Sequence, residues 1–399
     1  MTARNGRGRG QLRTTHGPAS PDDAELAVPD HVWAPSQWAA TVGEGDRPGP
    51  LALIAESSRR TPWLGTTSPQ WYAVSAVDQS YTWLELPGRE QTDGAEVVLS
   101  PDGRMVGYFL AGDPARDDAQ SDVVGYAVYD AVTGQVHQRR VPTERGLAPF
   151  ALTWSPDSRR LVVSYGQYRR QLGSAAWGDT VAWDPRNGNV TDLDVRNLDT
   201  GTGSGLGGVT TSVDDGSGVL VIDPDTGRTH LLRLATDPDD RNGSYFDYAF
   251  VNPAGTMIAA RGELPTGPRS STTGLRAGEL DGDRIPELRL LSKRWQVNRV
   301  LGWMDDNTVL TEAHPRGGDG LRYVAHDVRS GESRPVIGHT DPPHRWLQPF
   351  FAQDLLRRPF VEGAPPPSPW HPWWGWAVAL PILLLGAFLV RRTRGRARP

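Results

Sequence analysis

The sequence predicts an all-β protein, a β-propeller of about six four-stranded blades with seven as the alternative, followed by a single C-terminal transmembrane helix. Three observations support this. Two short turn phrases alternate along the middle of the chain at intervals of about fifty residues. The segments between them are apolar runs of strand length, separated by Gly, Pro, Asp and Asn. An apolar stretch without charged residues lies near the C-terminal end.

The first phrase is a small polar residue, Pro, an acidic residue and Gly, and it follows an apolar strand. In such a turn Pro presets φ, the acidic or hydroxyl side chain bonds the local backbone, and Gly closes the turn at little steric cost. It therefore predicts the reversal between an innermost strand and its neighbour. The two copies that match the phrase well are Ser100, Pro101, Asp102 and Gly103, and Ser155, Pro156, Asp157 and Ser158. Degenerate copies lie at 252–255 and 304–307.

The second phrase is an Asp four residues before a Gly, and it predicts a hairpin loop with a bulge. It occurs at Asp130, Asp184, Asp223 and Asp327. One phrase of each kind per period gives a four-stranded unit, and the spacing places one hidden copy of the first phrase near 201–208. The propeller should then occupy residues 45–355. A solenoid of the same units would need polar caps at its ends, and we find no candidate segments for them. Closure of the units into a ring is therefore preferred.

The strand, turn and strand at 152–162 closely resemble the repeat of TolB-like and WD-repeat β-propellers. The Gly-His and Trp-Asp pairs of true WD repeats do not recur at regular offsets, which makes the TolB-like resemblance the better one. It implies a bacterial propeller protein. The phrase itself contains no catalytic residue, so it implies the fold and leaves the specific activity open.

Composition excludes several classes. The chain has 399 residues and a formal net charge of −5, which argues against a nucleic-acid partner because such proteins present a basic field. It has no Cys, so disulfides, thiol nucleophiles and Cys-ligated zinc are excluded. Residues 1–35 are polar, with early Arg and later acidic residues, and are predicted to be a disordered tail.

The C-terminal region predicts a membrane anchor. Residues 359–372 form a Pro-rich linker, and 373–390 contain no charged residue. A helix of this length spans about 27 Å, close to the thickness of a bilayer's hydrocarbon core. Trp and Arg flank its two ends as interface residues do. These residues are Trp373, Trp374 and Trp376 at one end, and Arg391 and Arg392 in the basic tail 391–399 at the other.

The predicted location is therefore the cell membrane, with a single pass. Two observations conflict over which side of the membrane the propeller lies on. The Arg-rich tail favours a cytoplasmic tail and an external propeller. A hydrophobic segment made last, with no export signal visible before it, favours insertion as a tail anchor with the propeller in the cytoplasm. We favour the cytoplasmic side.

Two segments are candidate binding sites. Residues 203–208 fit a dinucleotide fingerprint, but a strand follows where a helix is required, so they are interpreted as an inter-blade loop. Four acidic residues could supply oxygen ligands to calcium, but Arg284 stands where a Gly is expected and an ordinary hairpin turn is favoured. These residues are Glu279, Asp281, Asp283 and Glu287. No catalytic residue, cofactor or other metal site is predicted.

The main functional hypothesis is a membrane-tethered, non-catalytic binding or scaffold module, with a protein partner on the propeller rim or a small ligand. The alternative is an enzyme or carbohydrate-binding protein that uses the central channel. Paired buried carboxylates around the channel, with shifted pKa values, would indicate the alternative. A channel lined by Ser, Gly and apolar groups would count against it.

Overall fold

The computed structural model describes residues 25–366, except for 38, 61–65, 91–95, 116–118, 169–177, 196–197, 199–201, 214–216, 236–245, 268–269, 292, 319 and 341–348, together with residues 380–385. Six sheets of four or five strands in this described part form a six-bladed β-propeller. The predicted all-β fold and the count of about six blades are confirmed.

The strands follow one another with short connections. In chain order they are β1 (Val28–Pro29), β2 (His31–Val32), β3 (Thr41–Val42), β4 (Leu51–Arg60), β5 (Thr67–Ser75), β6 (Tyr81–Leu84), β7 (Val97–Leu99), β8 (Met105–Ala111), β9 (Val123–Asp130), β10 (Val136–Arg140), β11 (Leu147–Trp154), β12 (Leu161–Gln167), β13 (Asp179–Trp183), β14 (Val190–Leu193), β15 (Gly203–Gly205), β16 (Gly208–Ser212), β17 (Gly218–Ile222), β18 (Thr229–Leu234), β19 (Phe246–Val251), β20 (Met257–Gly267), β21 (Ser270–Glu279), β22 (Arg284–Ile285), β23 (Arg289–Leu290), β24 (Trp295–Trp303), β25 (Thr308–Pro315), β26 (Arg322–Asp327), β27 (Ser333–His339), β28 (Phe350–Phe351) and β29 (Phe360–Val361). A 3-10 helix spans Gln353–Arg357.

Blades 2 to 6 each begin with their innermost strand, which is β7, β11, β15, β19 and β24 in turn. Blade 1 is different. Its order is β28-β4-β5-β6, so its innermost strand comes from the C-terminal part of the chain. The pairing of β28 with β4 closes the ring with only two residue pairs, Phe350 with Ile54 and Phe351 with Leu53.

Both turn phrases adopt the predicted geometry. In the first, the Ser100 hydroxyl donates to Asp102 Oδ1 at 2.6 Å and accepts the Met105 N–H at 2.9 Å. In the second, Gly134 N–H donates to the Asp130 carbonyl at 2.8 Å, and Gly134 has φ +75°. The hidden copy is the β15–β16 hairpin of blade 4. Residues 203–208 are therefore an intra-blade turn, and their interpretation as an inter-blade loop is wrong. The strand predicted to follow them is β16.

Adjacent blades pack through large apolar side chains. Trp154 and Trp303 are buried on the innermost strands of blades 3 and 6. Each indole Nε1–H donates to a carbonyl on the preceding blade, Val98 O at 3.3 Å and Phe250 O at 3.0 Å. Because the indole buries a large surface and also satisfies its N–H, Trp suits this interface. These Trp residues are therefore part of the inter-blade core.

Three blades gain a fifth strand at their outer edge. β3 pairs with β6 of blade 1, β2 with β27 of blade 6, and β22 with β18 of blade 4. A separate two-stranded sheet joins β1 to β29. Residues 25–35 were predicted to lie in the N-terminal tail, and the structure places β1 and β2 there.

Residues 380–385 are helical. Among the described residues there is no helix that is long and apolar enough to cross a membrane. Most of the predicted membrane segment 373–390 lies outside the described residues. So do its flanking residues Trp373, Trp374, Trp376, Arg391 and Arg392.

Candidate functional site: the central channel

The innermost strands surround a central channel with two different ends. Each innermost strand runs towards the first turn phrase, and the second phrase reverses the chain on the same side of the blade. We call this side the turn face and the opposite side, where the innermost strands begin, the loop face. Propellers commonly bind ligands in or over such a channel.

The 3-10 helix lies across the turn-face end of the channel. Ser204 of blade 4 donates its hydroxyl hydrogen to Gln353 Oε1 at 3.0 Å, which links the helix to the blade opposite blade 1. The Asp354 N–H donates to the carbonyl of Pro101, in blade 2, at 3.0 Å. The helix therefore partly covers this mouth.

A cavity of about 380 Å³ lies beside the helix. Its lining comes from blades 2 to 6 and from the 3-10 helix, and it includes three prolines of the first turn phrase. Desolvation at this mouth raises the pKa of Asp354, with Arg357 opposing the rise and Asp102 adding to it. The lining residues are Pro101, Pro156, Ser204, Gly205, Leu206, Gly207, Phe250, Val251, Asn252, Pro253, Gly302, Trp303, Gln353, Asp354 and Arg357.

A buried ion pair lies midway along the innermost strand of blade 6, on the loop-face side of the cavity. Arg299 on β24 and Glu312 on β25 are 7% and 2% exposed, and Arg299 Nη2 donates to Glu312 Oε2 at 2.7 Å. The same nitrogen donates to the carbonyl of Pro349 in blade 1 at 3.0 Å, and the guanidinium lies 5.1 Å from the Phe350 ring centroid. A buried charge is tolerated only when it is paired and hydrogen-bonded, as Arg299 is here.

A second ion pair joins Arg261 to Asp247 on the neighbouring blade 5. The next residue, Tyr248, lies in a β-bulge between Asp247 and Phe250. Its φ of +50° is in the left-handed region. That conformation costs a residue with a Cβ about 1–2 kcal/mol. Bulges and strained residues of this kind occur preferentially next to functional sites, where they direct a side chain.

Four charged groups act electrostatically on the Tyr248 phenol. Burial raises the pKa of its phenol, Arg299 lowers it, and Glu96 and Asp247 raise it again. Arg261 also lowers the pKa of Tyr248, by a smaller amount. Glu96 belongs to blade 2, and its Oε2 accepts the Leu152 N–H of blade 3 at 3.0 Å. We define these residues as the Tyr248 cluster: Glu96, Asp247, Tyr248, Arg261, Arg299 and Glu312.

The Tyr248 cluster keeps hydrogen-bonding capacity for a further molecule. Nε of Arg261 and Nε of Arg299 are buried and have no hydrogen-bond acceptor among the residues that the structure describes. An unsatisfied buried donor costs about 1–3 kcal/mol. A ligand with acceptor oxygens would remove this cost, and the carboxylates beside it would accept its hydroxyl hydrogens.

Sequence reasoning missed this cluster. A signal was nevertheless present, since Arg299 interrupts an apolar strand with a charge, and such a charge needs a buried partner. Its partners could not be identified because they come from other strands and blades.

The predicted calcium residues lie on the outer side of blades 4 and 5. Asp281 and Arg284 close a tight turn through two backbone hydrogen bonds, and Asp283 bonds His230 at 3.0 Å. Within the described ranges, no group of three or more His, Asp or Glu side chains could hold a metal ion. The ordinary hairpin turn favoured over a calcium site for these residues therefore stays a prediction.

Comparisons with known proteins identify no family for this chain. No family model matches the chain, and no curated protein matches it. Among solved structures, an oligogalacturonate lyase in complex with manganese is 13% identical with a TM-score of 0.45, covering 80% of this chain and 91% of that chain. The propeller domain of the Trilobed protease from Pyrococcus furiosus is 14% identical with a TM-score of 0.45, covering 80% and 88%. TolB from Acinetobacter baumannii is 11% identical with a TM-score of 0.42, covering 71% and 63%.

These comparisons correct the main functional hypothesis. The similar structures include a second oligogalacturonate lyase and a puromycin hydrolase, so the proteins found are named as enzymes more than as non-catalytic scaffolds. The hypothesis of a non-catalytic binding or scaffold module is therefore wrong. At 10–16% identity these structures share only the fold with this chain and do not assign it a reaction.

Proposed function

We propose that the protein is an enzyme or a carbohydrate-binding protein that takes its ligand into the loop-face end of the central channel. The Tyr248 cluster carries this proposal, because it combines buried carboxylates, buried guanidinium donors and a phenol around one channel. Sugar hydroxyl groups both donate and accept hydrogen bonds, so they can satisfy carboxylate acceptors and the free Nε–H donors together.

Tyr248 is the group of the cluster that contacts the ligand. Its raised pKa keeps the phenol protonated at neutral pH, so it can donate a hydrogen bond to a bound ligand. Its strained backbone holds the side chain in place beside Arg299. In this role Tyr248 is a hydrogen-bond donor, and Glu312 and Asp247 position the two guanidinium groups.

Binding tests this proposal. Full-length protein is titrated calorimetrically with a panel of neutral and acidic oligosaccharides, and each mixture is analysed by mass spectrometry for cleaved or modified product. We expect one class to bind. Tyr248→Phe should weaken that binding or the turnover about tenfold, the effect of losing about 1.4 kcal/mol of hydrogen bonding.

The matched control is Tyr81→Phe, which removes a hydroxyl that accepts the Trp33 N–H at 3.1 Å, far from the channel. It should leave binding unchanged. The proposal is contradicted if no carbohydrate binds at millimolar concentration, or if both Tyr variants bind as tightly as the wild type.

The C-terminal segment supports a further proposal, that it anchors the protein in the cell membrane. The described helical turn exposes Leu380, Ile382, Leu383, Leu384 and Leu385 at 56–64%. Such a contiguous apolar surface needs a cover, and lipid would supply it. Reporter fusions test its orientation. Fluorescence from a green fluorescent protein at the N-terminus, with phosphatase activity after Arg398, is the pattern expected for a cytoplasmic propeller; the reverse pattern contradicts that side.

A further inference from the structure

We propose that residues 26–49 form a strap across the outside of the ring, and that this strap makes closure of the ring depend on the C-terminal segment 358–363. The seam in question lies between blades 6 and 1. At its inner side β28 closes the ring, with two residue pairs among the described residues. The hydrogen bond from Arg299 to the Pro349 carbonyl crosses the same seam.

The strap joins the outer edges of the same two blades. Its β2 pairs with β27 of blade 6, and its β3 pairs with β6 of blade 1. Between these strands, Trp83 Nε1–H donates to the Ser36 carbonyl at 2.9 Å. Backbone hydrogen bonds from Gly45 and Gly49 then reach the 131–134 turn of blade 2. The strap is therefore a second, outer closure of the ring.

The C-terminal segment is held by the strap. Among the described residues, β29 pairs with β1 alone. The Gly363 N–H donates to Asp30 Oδ1 at 2.9 Å, and Trp33 Nε1–H donates to the Gly363 carbonyl at 3.3 Å. A displacement of 358–363 therefore acts on the strap, and it also acts on β28 through the 3-10 helix, because the Arg358 N–H donates to the Leu355 carbonyl at 3.0 Å. The claim that this displacement also moves Arg299 within a ligand site rests on the proposed function. The claim that it opens the seam does not rest on the proposed function.

Two glycines provide a way to loosen the strap. A Cβ on Gly338 would lie 2.2 Å from His31 Nδ1, and a Cβ on Gly363 would lie 2.6 Å from the His31 carbonyl. Neither glycine has a φ in the left-handed region. An Ala at either position therefore acts by pushing on the strap, from the blade 6 side or from the C-terminal side.

Hydrogen exchange of the full chain in nanodiscs tests the proposal without any ligand. In Gly338→Ala and Gly363→Ala we expect amides of 28–34, of β28 and of the first half of β24 to exchange at least about tenfold faster, while β12 in blade 3 keeps its wild-type rate. The control is Gly318→Ala in a blade 6 loop, where the nearest atom would be 3.3 Å from the new Cβ.

A second substitution shows whether the strap is responsible. Adding His31→Ala should restore slow exchange in Gly338→Ala, because it removes the colliding ring, and should not restore it in Gly363→Ala, where the collision is with the backbone. Wild-type exchange at the seam in both single variants overturns the proposal, and so does faster exchange of 28–34 with β28 unchanged. If Gly338→Ala does not fold, Gly363→Ala carries the test alone, because its new Cβ meets the backbone carbonyl of His31.

Discussion

Acid should destabilise the propeller through His326 in blade 6. This side chain is fully buried on β26, and its Nε2 is hydrogen-bonded to Thr311 Oγ1 at 3.0 Å. Its Nδ1 has no hydrogen-bond partner within the described part of the chain. Burial lowers the pKa of the imidazole from 6.5 to about 4, because the charged form would lose its hydration.

The sign and size of the effect follow from linkage. The native state binds this proton less readily than the unfolded chain, so the contribution of His326 is fully present above pH 6.5 and is lost as the pH falls towards 4. At about 1.4 kcal/mol per pH unit, the two units between pH 6.5 and 4.5 correspond to about 2–3 kcal/mol.

Denaturant unfolding at pH 7.5 and pH 4.5 measures this loss. His326→Gln should lose about 2–3 kcal/mol less than the wild type between these two pH values, since carboxylate protonation affects both proteins alike. Thr311→Val is the matched control. It should lose about 0.5–1.5 kcal/mol of hydrogen bonding at both pH values and keep the wild-type pH dependence. Equal pH dependence in the wild type and His326→Gln would refute the reasoning.

Two further predictions concern the ion pair and the turns. Glu312→Gln should cost about 3–5 kcal/mol in free energy of unfolding, because it leaves the Arg299 guanidinium buried without its counter-charge; an unchanged calorimetric melting temperature would contradict this. Gly103→Ala should destabilise more than Gly188→Ala, as measured by denaturant midpoints. Both glycines have positive φ, but only Gly103 would place its Cβ against a backbone oxygen, Leu51 O at 2.2 Å, whereas Gly188 has no neighbour within 4 Å. Equal denaturant midpoints for the two variants would contradict a role for the contact with the Leu51 carbonyl oxygen.

Much of the blade architecture could be predicted because turn chemistry is local. The Ser100 hydroxyl, Asp102 carboxylate and Gly103 φ all act within one four-residue turn, so the phrase can be recognised without knowing what packs around it. The blade 4 copy was found only by spacing. There Gly205, Leu206 and Gly207 all have positive φ, and a different turn replaces the Pro-containing phrase.

The origin of the innermost strand of blade 1 could not be predicted. β28 has two residues and carries no turn phrase, and its partner β4 lies about three hundred residues away along the chain. This pairing forms when the ring closes because it satisfies the backbone hydrogen-bonding groups on the exposed edge of β4. The role of residues 26–49 depends in the same way on edges that exist only once blades 6 and 1 are side by side.

The sequence alone therefore determined the repeated blade and its turns, since both depend on neighbours a few residues away. Only the tertiary structure decided where the ring closes and which charges meet in the channel. The Tyr248 cluster draws Glu96, Tyr248 and Arg299 from three blades, and no local pattern specifies that they approach one another. Their proximity arises when the innermost strands are brought around a common axis.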